Sequence, residues 1–167
     1  DVGELAARQE AFARTEARLH VNLHGYPSHE WTRPFTGYVP RHFALWAVPK
    51  GFFLVVRHEE AWADFARRFT ERLAHRLAAE LPEMVALNAR QMAAYRAHVG
   101  QIPFEVIAGI PCSVGGAARS TAPIELITEY PDETISGPAF RLGHDCQLAA
   151  ALAAAEIFAE MTGEAMV

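Results

Sequence analysis

The sequence predicts an α/β fold: a mixed sheet flanked by helices, formed by one domain over residues 1–167. Three observations carry this. Residues 3–25 pass from a helical to an extended pattern and stop in a glycine. Apolar, β-rich runs at 52–56 and 122–130 alternate with long segments of 3.6-residue periodicity. Pro and Gly clusters mark most of the changes between the two periods.

The first helix is expected over 3–19, where Leu5, Phe12 and Leu19 recur at heptad spacing and Glu10 and Arg14 form an exposed pair. The run His20-Val21-Asn22-Leu23 then reads as a short buried strand ending at His24-Gly25. A Pro-rich, aromatic loop follows from Gly25 to Pro40, and long ordered loops more often serve function than architecture. Residues 42–48 and 52–56 flank Pro49-Lys50-Gly51 and suggest a hairpin. Over 59–81 one stripe holds Trp62, Phe65, Phe69, Leu73 and Leu77, with Arg67, Arg68, Glu71 and Arg72 opposite, which predicts a helix. Pro82 opens a second helix that stops at Gly100. This helical region, 59–99, reads as an insertion between two strands, fit for a lid or an interface. Residues 102–121 read as a Gly/Pro-punctuated loop, and Ala122–Tyr130 as a buried strand broken at Pro131. Asp145 is expected to cap a last helix running to about Met161, with Leu148, Leu152, Phe158 and Met161 near one face.

Composition narrows the function. Apolar residues make up 51 % and charged residues 21 %, so a sizeable core is within reach. The net charge of −5 argues against a nucleic-acid surface. No run approaches the ~18 apolar residues of a membrane span, so no membrane partner is expected. Cys112 and Cys146 lie far apart and read as two buried thiols. The chain opens on Asp1 inside a helical pattern, as a piece of a longer protein would. Its localisation is open, with the cytoplasm the default expectation.

Chemistry gathers at two strand ends. In α/β sheets, ligands bind outside the carboxyl ends of the strands. One strand ends in His24; the other ends in Glu129, with Asp132 and Glu133 beyond it. If these strands are parallel neighbours, His24 and Glu129 point into one crevice. A histidine and a carboxylate there are parts for metal-assisted hydrolysis, one to bind the ion and one to accept a proton from water. His29 and Glu30 read as loop surface. Arg119, in the loop before the Glu129 strand, has the fork geometry to hold a carboxylate. Gly115-Gly116 lacks the Lys and Ser/Thr of a phosphate loop, and no serine sits in a G-x-S-x-G context.

The stretch LHVNLHGYPSHEWTRPFTGYVP, and within it Asn22-Leu23-His24-Gly25-Tyr26, resembles the segment of zinc carboxypeptidases (the M14 metallopeptidase family) that carries the third zinc ligand. ELITEYPDE resembles the strand bearing that family's catalytic glutamate. The resemblance implies a zinc-carboxypeptidase-like (phosphorylase/hydrolase-like) fold, of which this chain is the C-terminal portion. It implies His24 as a zinc ligand and Glu129 as general base, with Glu125 the alternative on the same strand face. It implies a peptide or small amide as substrate. The aromatic loop that starts at Tyr26 would wall the cleft, and Tyr26, together with Arg119 from its own loop position, is the expected substrate-binding residue. No H-x-x-E motif, no upstream Asn-Arg pair and no Tyr shortly before Glu129 matches the family pattern, so the zinc site in this chain would be incomplete. The competing reading is a non-catalytic α/β domain that binds a ligand or partner through its aromatic loop. A half-sheet would also expose a strand edge and invite self-association.

Overall fold

The computed structural model describes residues 2–26, 51–99, 104–117, 122–131 and 135–163. The chain is α/β, with a five-stranded mixed sheet flanked by helices. The elements are α1 (Val2–Thr15), β1 (Leu19–Tyr26), β2 (Phe53–His58), α2 (Ala63–Glu80), α3 (Pro82–Val99), β3 (Glu105–Ile107), β4 (Ile110–Gly116), β5 (Ile124–Pro131) and α4 (Gly137–Thr162). A 3-10 turn, Glu60–Trp62, leads into α2.

Sheet order is β1-β5-β2-β4-β3. β1 pairs with β5 in parallel, β5 with β2 antiparallel, β2 with β4 in parallel, and β4 with β3 antiparallel. β5 is apolar and β-branched because it runs through the interior: six of its eight residues, Ile124 to Thr128 and Tyr130, are buried. One sheet face carries Leu54, Val56, Cys112, Ile124, Leu126 and Tyr130, and α2 and α4 bury it with Phe69, Leu73, Leu77, Ala150, Ala154 and Ile157. Where the two helices meet, Trp62, Phe65, Phe69 and Phe158 interlock edge to face and stacked. On the other face Phe12 of α1 meets His20 edge-on, centroids 5.4 Å apart.

α3 packs Met84 into the core and is tied to neighbouring backbone by Asn88. Asn88, almost fully buried, accepts from Phe52 N–H at 2.9 Å and donates to Phe52 O at 2.9 Å and Gly109 O at 3.3 Å. The fit requires glycine at 51, since a Cβ there would lie 2.4 Å from Asn88 Oδ1, and its φ of +151° disfavours any other residue.

Several expectations from the sequence are corrected. α1 stops at Thr15, where Glu16 takes a left-handed φ of 50°, and Leu19 opens β1 instead of closing the helix. The hairpin expected between 42–48 and 52–56 falls in part outside the described residues; among the described residues β2 pairs with β5 and β4. The region 102–121 is not all loop: β3 and β4 form a hairpin about Ala108-Gly109, both at positive φ (50° and 83°), the signature of a type I′ turn. α4 begins at Gly137, so Asp145 lies inside it and caps nothing. Pro138 fits the first turn, where its missing N–H costs no bond. Gly143 is a packing residue; a Cβ there would lie 2.6 Å from the Tyr130 ring. α4 buries small side chains, Cys146, Ala150, Ala153 and Ala154, and leaves Leu148 and Leu152 more than half exposed. The segment expected as an insertion supplies α2, whose Phe69, Leu73 and Leu77 belong to the core.

Candidate functional site

The parallel pairing of β1 and β5 sets every relevant side chain. Its register places His20 beside Glu125 and His24 beside Glu129. Side chains alternate along a strand, so residues four apart share a face. Two His–Glu pairs therefore line the same face, two strand repeats from each other.

At the carboxyl ends of the strands, His24 Nδ1 lies 3.0 Å from Glu129 Oε2 and 3.1 Å from Oε1. The histidine side chain is 59 % exposed and the carboxylate 16 %. A carboxylate oxygen facing Nδ1 is an acceptor, so in the neutral ring the contact favours the tautomer with its proton on Nδ1 and its lone pair on Nε2. Behind the pair, Gln147 of α4 donates to the His24 carbonyl at 2.8 Å. The backbone carrying the imidazole is thus anchored from the helix side while the ring stands in solvent.

The second pair is built differently. Glu125 is buried, with His20 Nδ1 3.3 Å from one oxygen and Arg57 3.6 Å from the other. His20 Nδ1 is itself buried and its approach to Glu125 is not aligned as a hydrogen bond. Glu125 is thus flanked on both sides inside the sheet face, whereas Glu129 lies at the strand ends. His20 was missed by reading motifs one at a time. The signal was the matched spacing: two histidines four apart in one strand and two glutamates four apart in another.

Tyr26 ends β1 inside the protein. Its hydroxyl donates to Gly51 O at 3.0 Å and accepts from Gly51 N–H at 2.7 Å, and its ring packs on Phe53. Those bonds hold the end of β1 to the start of β2; they also engage the hydroxyl that a substrate would need. Arg119, His29, Glu30, Asp132 and Glu133, and the aromatic loop from Pro27 to Pro40, lie outside the described residues.

Both cysteines are free and buried. Burial pushes each thiol up to about 12, and the nearby Glu105 and Asp145 charges add to the effect for Cys112 and Cys146 respectively. At neutral pH burial holds both as thiols and not as the reactive thiolate. Among the described residues no helix is long and apolar enough to cross a membrane.

Comparison of the chain with protein-family models, with curated proteins and with solved structures found no match.

Proposed function

We propose that the rim formed by His24 and Glu129 is the reacting end of a zinc-dependent, carboxypeptidase-like hydrolase of peptide or amide bonds. On this reading the chain is the C-terminal portion of a zinc-carboxypeptidase-like catalytic domain. The observation that supports it is the in-register pairing of β1 and β5, which brings an imidazole and a carboxylate 105 residues apart in sequence to one strand rim. That rim is where α/β sheets bind ligands.

His24 would offer Nε2 to the metal. A ligating histidine characteristically gives its other ring N–H to a carboxylate, which orients the ring and raises its basicity, and Glu129 stands in that relation to Nδ1. Bound zinc would acidify water and polarise the scissile carbonyl. Nδ1 and Nε2 point to opposite sides of the ring, so to act as general base Glu129 would turn from Nδ1 toward the water, take its proton and pass it to the leaving amine. A tight zinc site needs three or four protein ligands. Among the described residues no group of three His, Cys, Asp or Glu is arranged to hold a metal ion. The fit is therefore partial, with one imidazole contributed here and the other ligands drawn from elsewhere in the protein.

The test is zinc content and hydrolysis of N-acyl amino acids and short peptides, measured on the protein, His24→Ala and Glu129→Gln. Zinc is expected to fall in His24→Ala. In Glu129→Gln zinc is expected to stay while the rate falls ~10²–10⁴-fold, the usual contribution of a general base. Unchanged zinc in His24→Ala, or an unchanged rate in Glu129→Gln, would overturn the reading. Failure of all forms to hold zinc or hydrolyse any substrate would favour the non-catalytic binding domain.

A further inference from the structure

Helix α4 spends its small side chains on the core and turns its leucines outward. Leu148 and Leu152, one turn apart, are 60 % and 58 % exposed. A single surface leucine needs no explanation, but two at i and i+4 make a continuous apolar ridge. Arg72 of α2 reaches Glu160 of α4, and Arg76 reaches Glu156 at 3.5 Å, so the two helices run antiparallel. Between them lies an open groove of about 360 Å³. The leucines form one wall, and Ala149 and Ala153 leave the floor low. The rest of the rim is acidic. It carries Glu80, Asp145 and Glu156 against one cation, Arg76, which is shared between Glu80 and Glu156. Three carboxylates and one guanidinium leave this lining with a net charge of −2.

We propose that the groove docks an amphipathic helix of a partner protein, which sets apolar side chains against Leu148 and Leu152 and presents Lys or Arg to the acidic rim. Shape points to a helix. The groove follows two helix axes, and its leucine anchors repeat at the one-turn spacing that a docked helix matches with its own i and i+4 side chains. Charge selects a basic one. Anionic lipid and nucleic acid would bring phosphate to the same carboxylates and be repelled. A second copy of this chain meets the same obstacle. Pairing α4 with itself about a twofold between Leu148 and Leu152 sets the α2-facing flank of one helix against the same flank of the other. Glu156 of one copy then falls beside Asp145 of the other, acid against acid. A helix with Lys or Arg beside its apolar stripe meets no such opposition. The groove lies in the layer of α2 and α4, and the His24–Glu129 pair on the opposite face of the sheet, so docking leaves that rim open.

The test uses three fluorescein-labelled peptides of about 15 residues, the length at which an Ala-rich helix becomes stable. The first is a Lys/Ala helix with Leu at i, i+4 and i+7. The second replaces every Lys by Glu, and the third every Leu by Ser. Anisotropy is expected to show saturable binding of the Leu/Lys peptide, ~10-fold tighter than either control and weaker as salt rises. Leu148→Ser combined with Leu152→Ser, at exposed positions, should weaken it ~10-fold. Glu80→Gln combined with Asp145→Asn should weaken it ~5-fold, the scale of two exposed charge contacts, and flatten its salt dependence. Glu10→Gln, an exposed carboxylate of α1 on the other side of the sheet, should change nothing. Equal binding of the Leu/Lys and Ser/Lys peptides overturns the apolar anchor. Equal binding of the Leu/Lys and Leu/Glu peptides overturns the basic partner. Leu/Lys binding that the leucine variant leaves untouched overturns the groove. Sedimentation of the free protein supplies the last arm: a dimer that the leucine variant breaks would give the groove to a second copy and overturn the proposal.

Discussion

Asn88→Ala tests how the strand ends that frame the site are held. Asn88 satisfies both backbone groups of Phe52, a residue with no solvent exposure, through two bonds of 2.9 Å. It also reaches Gly109 O at the longer distance of 3.3 Å. Truncation leaves the Phe52 N–H and C=O without protein partners inside the fold. Each orphaned buried group costs ~1–3 kcal/mol. The Gly109 bond is long and part-buried, so its loss adds little. Water entering the vacated space offsets part of the total, which sets the expected loss at about 3 kcal/mol out of the ~5–15 kcal/mol typical of a domain. Urea unfolding followed by circular dichroism measures it, with an unchanged m-value showing that the compactness of the two states is preserved. Arg72→Ala is the control, since its pair with Glu160 is solvent-exposed and should contribute no more than ~1 kcal/mol. A loss below 1 kcal/mol in Asn88→Ala would refute the assignment of Asn88 as the residue that fixes the start of β2, and with it the anchor on Gly51 and Tyr26.

Other outcomes follow from the same structure. Folded-state burial raises both thiols from 9.0 to about 12, so their contribution is whole below the ordinary thiol value and is lost as pH rises from 9.0 toward 12. Over that window each thiol should lower stability by about 1.4 kcal/mol per pH unit, and Cys112→Ala should show a shallower decline than the wild type; equal slopes would contradict this. Ala108→Asn should raise stability by ~1 kcal/mol in thermal unfolding, because Ala108 holds a φ of 50° that asparagine tolerates better. Gly143→Ala gains ~1 kcal/mol of helix propensity but drives a Cβ to 2.6 Å from Tyr130, an overpacking cost of ~1–3 kcal/mol. It should destabilise the wild type and stabilise a Tyr130→Ala background, and the same sign in both would exclude the clash.

Long-period patterns were legible in the sequence; local exceptions were not. The Trp62–Leu77 stripe announced α2 because five apolar residues repeat at helical spacing and meet the core. β5 was legible for its β-branched apolar run. The start of α4 was hidden because Gly137, Pro138 and Gly143 are poor helix formers by propensity, while Pro138 suits the first turn and Gly143 is required by the Tyr130 ring packed against it. The β3–β4 hairpin was hidden because its turn is Ala-Gly, a weaker signal than Asn-Gly or Asp-Gly. At the site, the residues of each strand end could be read, but not their pairing. Register depends on which strands become neighbours, and nothing local to VNLHGY or LITEY encodes that. The fate of Tyr26 was equally non-local, since its partner Gly51 lies on another segment.

The most direct measurement is the protonation state of the two ring nitrogens of His24, read from long-range proton–nitrogen correlation spectra at a pH where the ring is neutral. With Glu129 accepting from Nδ1, the expected result is a proton on Nδ1 and an open Nε2, with that preference lost in Glu129→Ala. A proton on Nε2 in the wild type, or a spectrum that Glu129→Ala leaves unchanged, would show that the carboxylate does not hold the ring and that the rim is not the site described.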